Sequence, residues 1–103
     1  MKDNVTEYEM ELDRRLTEQS MIPQYMHEGI VTFIVHGRPP GDFLGSVLEG
    51  DLHKAARKAD RINQDLLCEY CRWLHNYAPA GCYGSKELVE KWIAAGGIQG
   101  AKK

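Results

Sequence analysis

The sequence predicts a single all-α domain of four or five helices, packed around a long central helix or helix pair over residues 52–77. Three observations favour this fold class. Apolar residues recur at helical spacing through 52–77 for about seven turns. The β-branched run 31–35 has no second strand pattern with which to pair. A chain of 103 residues fits one domain and can bury one modest core without metal or disulfide.

The first helix is expected over residues 4–18, in a segment dense with charge. One narrow apolar stripe runs along it at three- and four-residue spacing, formed by Val5, Tyr8, Leu12 and Leu16. Such a stripe can dock on the core, dock on a partner or fray, and the pattern leaves all three open. The chain is therefore divided into a polar N-terminal segment 1–20 that can be peripheral, a helical core domain 21–97 and a flexible tail 98–103.

A second helix is expected to begin near Pro23, because proline suits the first helical turn. It is expected to end at Gly37, which can adopt a left-handed cap. Helical spacing between these points is kept by Met26, Ile30, Phe33 and Ile34. The run 31–35 leaves a strand as the alternative, and we favour the helix.

A turn at 38–41 and a short helix at 43–49 follow. The turn is predicted because the residue before a proline is pushed out of the helical region. Asp42 is expected to be the N-cap of the short helix, Gly50 to end it, and Asp51 to cap the next one.

The predicted central helix presents one apolar seam. Its periodic positions are Leu52, Ala55, Ala56, Ala59, Ile62, Leu66, Leu67, Tyr70, Cys71, Leu74 and Tyr77. Asp60 and Asn63 favour caps over helix interiors, so the segment is one helix or two that break near them. Pro79 stops the pattern.

A last helix is expected over 86–95, after a loop at 78–84. Ser85 has the side chain of an N-cap, and Gly96 and Gly97 end the helix. The residues expected to face inward are Leu88, Val89, Trp92 and Ile93.

Charge and hydropathy limit the function classes. The net charge of −2 lacks the basic excess of proteins that grip duplex nucleic acid. No stretch approaches the roughly 20 apolar residues of a membrane span, and the charged N-terminus has no signal-peptide core. We therefore expect a cytoplasmic protein whose three cysteines are reduced.

Cysteine spacing raises the question of zinc. Cys68, Cys71 and His75 lie at i, i+3 and i+7 on one helical face, and Cys82 follows in a loop. A Cys₃His site is chemically sensible, but small helical domains commonly bury free cysteine, so we favour packing and predict no metal and no cofactor. Nucleophile, phosphate-loop and dinucleotide motifs are also missing, so we predict that the chain is not an enzyme.

A basic stripe, formed by His53, Lys54, Arg57, Lys58 and Arg61, occupies the helix face opposite the seam. It is either a solvated face or a surface that binds an anion or a partner. The proline- and glycine-rich loops at 36–44 and 78–85 add further candidates for binding an anion or a partner. The predicted ligand- or partner-binding residues are His36, Arg38, Lys54, Arg57, Arg61, Asn63, Tyr83 and Ser85.

Three ordered motifs carry a resemblance. They are HGRPPGDFLGSVLEGDL at 36–52, ADRIN at 59–63 and APAGCYGS at 78–85. Together they resemble a family of small proteins encoded by phages, prophages and plasmids, over residues 21–95. Family members more often have Asn in place of Gly50 and Trp in place of Tyr83. The family brings no established activity, and its setting implies an accessory protein that acts in the bacterial cytoplasm on a host factor.

The leading hypothesis is a non-enzymatic interaction module, able to form a homo-oligomer, that binds a bacterial host protein and can inhibit a defence system. The alternative is an oligomeric protein that sequesters a nucleotide or another small anion. A helix-turn-helix nucleic-acid binder is the third reading, and no role at a membrane is expected.

Overall fold

The computed structural model describes the backbone of residues 2–98 and the side chains of residues 7–98. Within this range the chain forms seven α-helices and no strand, which confirms the all-α prediction. The helices are α1 (Lys2–Gln19), α2 (His27–His36), α3 (Asp42–Glu49), α4 (Leu52–Lys58), α5 (Arg61–Asp65), α6 (Leu67–Tyr77) and α7 (Lys86–Ala95), with a 3₁₀ turn at Gln24–Met26. The predicted tail lies outside the described residues beyond position 98.

Helix α2 forms the centre of the core. Phe33, Ile34 and Val35 are each fully buried. Successive residues of a helix point about 100° apart, so three consecutive buried residues require neighbours on most sides of α2. The β-branched run 31–35 is helical, as favoured, and all of its side chains except that of Thr32 are buried. Gly37 ends the helix in the left-handed conformation, as predicted.

Helix α1 docks on this core. It packs on α2 and α6, and Leu12 and Leu16 belong to the same buried cluster as the residues of α2. The Arg15 guanidinium also lies over the ring of Tyr77, 5.1 Å from its centroid. The apolar stripe left open docking on the core, docking on a partner or fraying, and in the structure α1 docks on the core.

Helix α7 closes on the C-terminal end of α2. The Trp92 Nε1 group donates to the carbonyl oxygens of Phe33 and Ile34, both at 3.1 Å. A Cβ atom on Gly97 would lie 2.5 Å from the backbone nitrogen of Gly37, so this approach requires glycine. The predicted bounds and the Ser85 cap are confirmed, but Leu88 is partly exposed rather than inward.

The predicted central helix is three helices. The chain is extended at Ala59, and Asp60 begins α5 by accepting a 2.8 Å hydrogen bond from the backbone of Asn63. A second break, at Leu66, separates α5 from α6. The described residues therefore form seven helices rather than the predicted four or five, because each break starts a helix of its own.

These breaks also divide the predicted seam. Tyr70 and Leu74 are buried as expected, whereas Leu52 and Ile62 are 62% and 54% exposed. Each break changes the helix direction, so positions that keep helical spacing across it no longer share one face. Trp73, outside the predicted seam, is fully buried.

An ion pair joins the start of α6 to the connection between α1 and α2. The Arg72 guanidinium donates to both carboxylate oxygens of Glu69 at 2.8 Å and to the carbonyl of Gln19 at 2.7 Å. Glu69 also accepts from the backbone nitrogen of Met21 at 2.8 Å. The hydrogen bond from Arg72 is the main reason that the Glu69 pKa lies below its usual value.

We predict that Leu16→Ala lowers the free energy of unfolding by about 2–5 kcal/mol, because it leaves a cavity in the core. The measurement is urea unfolding followed by circular dichroism. Met10→Ala is the control on the same helix, since Met10 is 67% exposed and its change is expected within about 0.5 kcal/mol. Equal stability of both variants would mean that α1 does not contribute to the folding unit.

We predict that Glu69 contributes an acid-sensitive part of the stability. Its folded-state pKa is below the usual 4.5, so its contribution is fully present above the unfolded pKa and is lost as pH falls through the folded pKa. The stability advantage of wild type over Glu69→Gln should therefore shrink below pH 4.5. Urea midpoints measured between neutral and acid pH test this, with Glu90→Gln as the exposed control. An advantage that is constant with pH would contradict it.

Candidate functional site

The eight predicted site residues fall into three separate parts of the fold. Lys54, Arg57, Arg61 and Asn63 lie on α4 and α5, His36 and Arg38 at the C-terminal end of α2, and Tyr83 and Ser85 in the loop before α7. His36 is held by a 2.6 Å contact between its Nε2 and Glu9. The Ser85 hydroxyl accepts from the backbone of Leu88 at 3.1 Å, as a cap.

Residues 52–65, which we name the basic segment, form an outer strip of the molecule. Only two of its side chains, Ala55 and Asn63, are buried. The segment holds four of the thirteen Lys and Arg residues but only two of the fifteen acidic residues. Its exposed apolar residues are Leu52 and Ile62, in a stretch of the sequence where basic residues outnumber acidic ones.

The predicted basic stripe does not lie on one helix face. The chain turns at Ala59 and Asp60, so Arg61 begins α5 while Lys54 and Arg57 belong to α4. Lys58, at the end of α4, lies 3.8 Å from the Asp42 carboxylate at the start of α3. The basic residues of the stripe are thus divided between two short helices, and one of them, Lys58, forms a weak ion pair.

A groove of about 400 Å³, which we name the asparagine groove, lies between the basic segment, the 3₁₀ turn and α3. Its lining residues are Tyr25, Met26, Gly29, Gly41, Asp42, Phe43, Leu44, Lys58, Asp60 and Asn63. Of the eight residues predicted from sequence, it contains Asn63.

Asn63 supplies the groove with amide donors. The side chain is only 3% exposed, and its Oδ1 accepts a 2.6 Å hydrogen bond from the Tyr70 hydroxyl. Burial raises the pKa of Tyr70, so the phenol keeps its proton and donates. Among the described hydrogen bonds none uses the Asn63 Nδ2 group, which is left with two N–H donors.

The start of α3 adds backbone donors to the same groove. Gly41, not Asp42 as predicted, is the N-cap, and no side chain accepts from the first turn. The first N–H groups of a helix have no partner within the helix. Together with the Lys58 ammonium, the first turn of α3 makes the groove rich in hydrogen-bond donors.

Asp60 is, with Asp42, one of two carboxylates that line this groove, and both oxygens of Asp60 are engaged. Oδ2 accepts from the Tyr25 hydroxyl at 2.5 Å, and Oδ1 accepts from the backbone of Asn63. The Tyr25 hydrogen bond is the main cause that lowers the pKa of Asp60, and it raises the pKa of Tyr25. Asp60 therefore acts as an ionised helix cap tied to the 3₁₀ turn.

The four residues considered for zinc do not come together. Cys82 is fully buried in the core, and burial raises the pKa of its thiol to about 12. Cys68, Cys71 and His75 are exposed. Packing therefore explains Cys82, as favoured, but it does not explain the other two cysteines. Within the part of the chain that the structure describes, no group of three His, Cys, Asp or Glu residues could hold a metal ion.

Two contributors to the groove were missed by the sequence reasoning. Tyr25 and Asp60 are 35 residues apart, and no local pattern signals their contact. The orientation of the Asn63 amide depends on its hydrogen bond with Tyr70. The position of Tyr70 in turn follows from the break at Leu66.

Comparison with known proteins adds no relative. No protein-family model, no curated protein and no solved structure matches this chain. Over the described residues, none of the helices combines the length and the apolar character needed to cross a membrane.

Proposed function

We propose that this chain is a non-enzymatic binding protein that docks on an acidic surface of a partner protein through the basic segment. The single observation that carries the proposal is the exposure of Leu52 and Ile62 in a segment whose Lys and Arg residues outnumber its acidic residues. The phage-family resemblance supports the setting, in which the partner is a bacterial host factor in the cytoplasm and the chain inhibits a defence system.

The composition of the segment supports an interface rather than a solvated face. Protein interfaces combine apolar contacts at their centre with a polar rim, and arginine is enriched in them. Leu52 and Ile62 supply the apolar contacts, and Arg57 and Arg61 are exposed nearby in sequence. A surface of this kind is attracted to an acidic partner, because opposite charges raise the rate of encounter.

The acidic partner can also be a second copy of the chain. Residues 7–18 contain five acidic residues, against Arg14 and Arg15. Contact between this surface and the basic segment of another copy would be head-to-tail, which builds rings or open chains. Light scattering on the purified protein separates this outcome from docking on a host protein.

We predict that tagged wild-type protein captures a partner from bacterial lysate in stoichiometric amount, and that Leu52→Ser with Arg57→Glu weakens this capture at least tenfold. A tenfold change corresponds to about 1.4 kcal/mol, within the range for one truncated interface residue. Mass spectrometry identifies the band, and its affinity is then measured with the purified partner.

Met21→Ser is the matched control, since Met21 is the most exposed of the large apolar residues described and lies outside the basic segment. It should bind as wild type does. The proposal fails if the purified partner binds the double variant and wild type equally while circular dichroism shows both folded. It also fails if neither a host protein nor a second copy is bound.

Binding of a small anion, such as a nucleotide, is the second candidate function. The observation that favours it is the donor set of the asparagine groove, made of the Asn63 amide, the first turn of α3 and Lys58. Asp42 is mostly exposed and only 3.8 Å from Lys58, so an incoming anion can displace it. The nearby charge of Asp60 opposes binding.

We predict that a nucleotide or inorganic phosphate raises the melting temperature of wild type. Ligand at one hundred times its dissociation constant adds about 2.7 kcal/mol, which raises the melting temperature of a domain of this size by roughly 10–20 °C. Lys58→Gln should reduce the shift, whereas Arg57→Gln, an equal change of charge on the same helix, should not. Unchanged melting of wild type with phosphate and with linear and cyclic nucleotides would exclude this candidate.

A further inference from the structure

A second groove, between α1 and α2, is lined by acidic side chains and one buried histidine. This histidine groove has a volume of about 400 Å³. Its lining residues are Glu9, Met10, Asp13, Gln24, His27, Glu28, Val31 and Thr32. We propose that it binds an ammonium or guanidinium group, which donates hydrogen bonds to His27 Nδ1 and to the Asp13 carboxylate. This proposal does not depend on the basic segment.

The orientation of His27 fixes which ring nitrogen can accept. His27 is 5% exposed, and its Nε2 lies 2.9 Å from the carbonyl oxygen of Ile22. A carbonyl oxygen only accepts hydrogen bonds, so Nε2 must carry the hydrogen. In a neutral imidazole the other nitrogen, Nδ1, is then an acceptor with a free lone pair.

The Nδ1 atom is buried and has no hydrogen-bond partner among the described residues. The Asp13 Oδ1 atom lies 3.5 Å from it. Two acceptors therefore face each other with no donor between them. A buried acceptor without a partner costs free energy, and a donor nitrogen placed beside the two, within hydrogen-bond distance of each, would satisfy both.

The charge of the groove selects a cationic donor. All the charged side chains that line it, Glu9, Asp13 and Glu28, are acidic. Glu9 contacts His36. The two arginines of the same helix are engaged elsewhere: Arg14 and Arg15 both pair with Glu11, and Arg14 also pairs with Glu18. Asp13 and Glu28 therefore leave negative charge at the groove that the neighbouring arginines are not positioned to neutralise.

The apolar part of the groove fits the carbon chain behind such a cation. Met10 and Val31 contribute to the lining, and the methylene groups of lysine, arginine or a polyamine gain by covering apolar surface. The shared ligand chemistry is thus a cationic nitrogen on a short aliphatic chain, which is found in a free polyamine or in a peptide side chain.

The test is a long-range ¹⁵N NMR titration of the histidine rings at neutral pH. The probes are putrescine, spermidine and N-acetyl-arginine methylamide, with 1,4-butanediol as the uncharged counterpart of putrescine. We expect the cations, but not the diol, to shift the His27 Nδ1 resonance while Nε2 stays protonated. Response to the polyamines alone indicates a free polyamine as the ligand, and response to the arginine probe indicates a peptide side chain.

Three variants separate this site from general attraction to an acidic surface. Asp13→Asn should weaken binding at least tenfold. His27→Gln keeps a donor for the Ile22 carbonyl but loses the Nδ1 acceptor, and it should weaken binding as well. Glu18→Gln removes an equal charge from the same helix outside the groove and should bind as wild type does, as measured by calorimetry with the same probes.

Three outcomes would overturn the proposal. The first is an Nδ1 resonance that no cationic probe shifts. The second is an Nδ1 already protonated at neutral pH, because a proton would then fill the gap between the two acceptors. The third is equal loss of binding in Asp13→Asn and Glu18→Gln, which would indicate attraction without a defined site.

Discussion

Helix α2 has to be covered along more than half of its circumference, and this requirement organises the fold. Its buried residues include Ile30, Phe33, Ile34 and Val35, and each large side chain of this kind contributes about 1.5–3 kcal/mol when it is buried. The cover comes from α1 along one side and from α7 at the C-terminal end, where Trp92 donates to two carbonyls of α2. A polar, highly charged α1 is thus an integral layer of the core.

The same requirement leaves residues 52–65 on the outside. Once α1, α3, α6 and α7 have packed, α4 and α5 contribute only Ala55 and Asn63 to the interior. A short helix needs few buried side chains when caps such as Asp51 and Asp60 stabilise its start. The segment can therefore carry exposed leucine, isoleucine and arginine without loss of core packing, which leaves its surface free to serve binding.

Local signals in the sequence predicted most of the boundaries. Left-handed glycines at 37, 50 and 96 and side-chain caps at Asp51 and Ser85 act within one helical turn, so their pattern is sufficient. The sequence left open a break near Asp60 because Asp60 and Asn63 favour caps, whereas the second break, at Leu66, was not predicted because hydrophobic periodicity continues across it. Spacing reports which residues share a face only while the helix axis is continuous, and a single extended residue at Ala59 ends that continuity.

The candidate site was less accessible to sequence reasoning than the fold. Asn63 was among the residues selected and lines a groove, but its partner Tyr70 and its neighbour Tyr25 are brought near it by tertiary packing. His27 was not among the residues selected from the sequence. Its relevance depends on a carbonyl five residues earlier and on a carboxylate of another helix. Contacts between distant segments carry this information, and one sequence does not encode them as a visible pattern.

A buried polar atom without a partner marks a ligand site only when a ligand can reach it. Trp73 Nε1 is also buried and unpartnered in the described structure, yet Trp73 is enclosed in the core beside Tyr77. Asn63 and His27 differ because each uses one polar atom to bind an interior group and lines a groove as well. The first groove offers donors and the second offers acceptors, so a single ligand charge cannot suit both. Two grooves of opposite preference on one small domain favour a binding role, since each leaves unmet hydrogen-bonding capacity that the fold itself does not require.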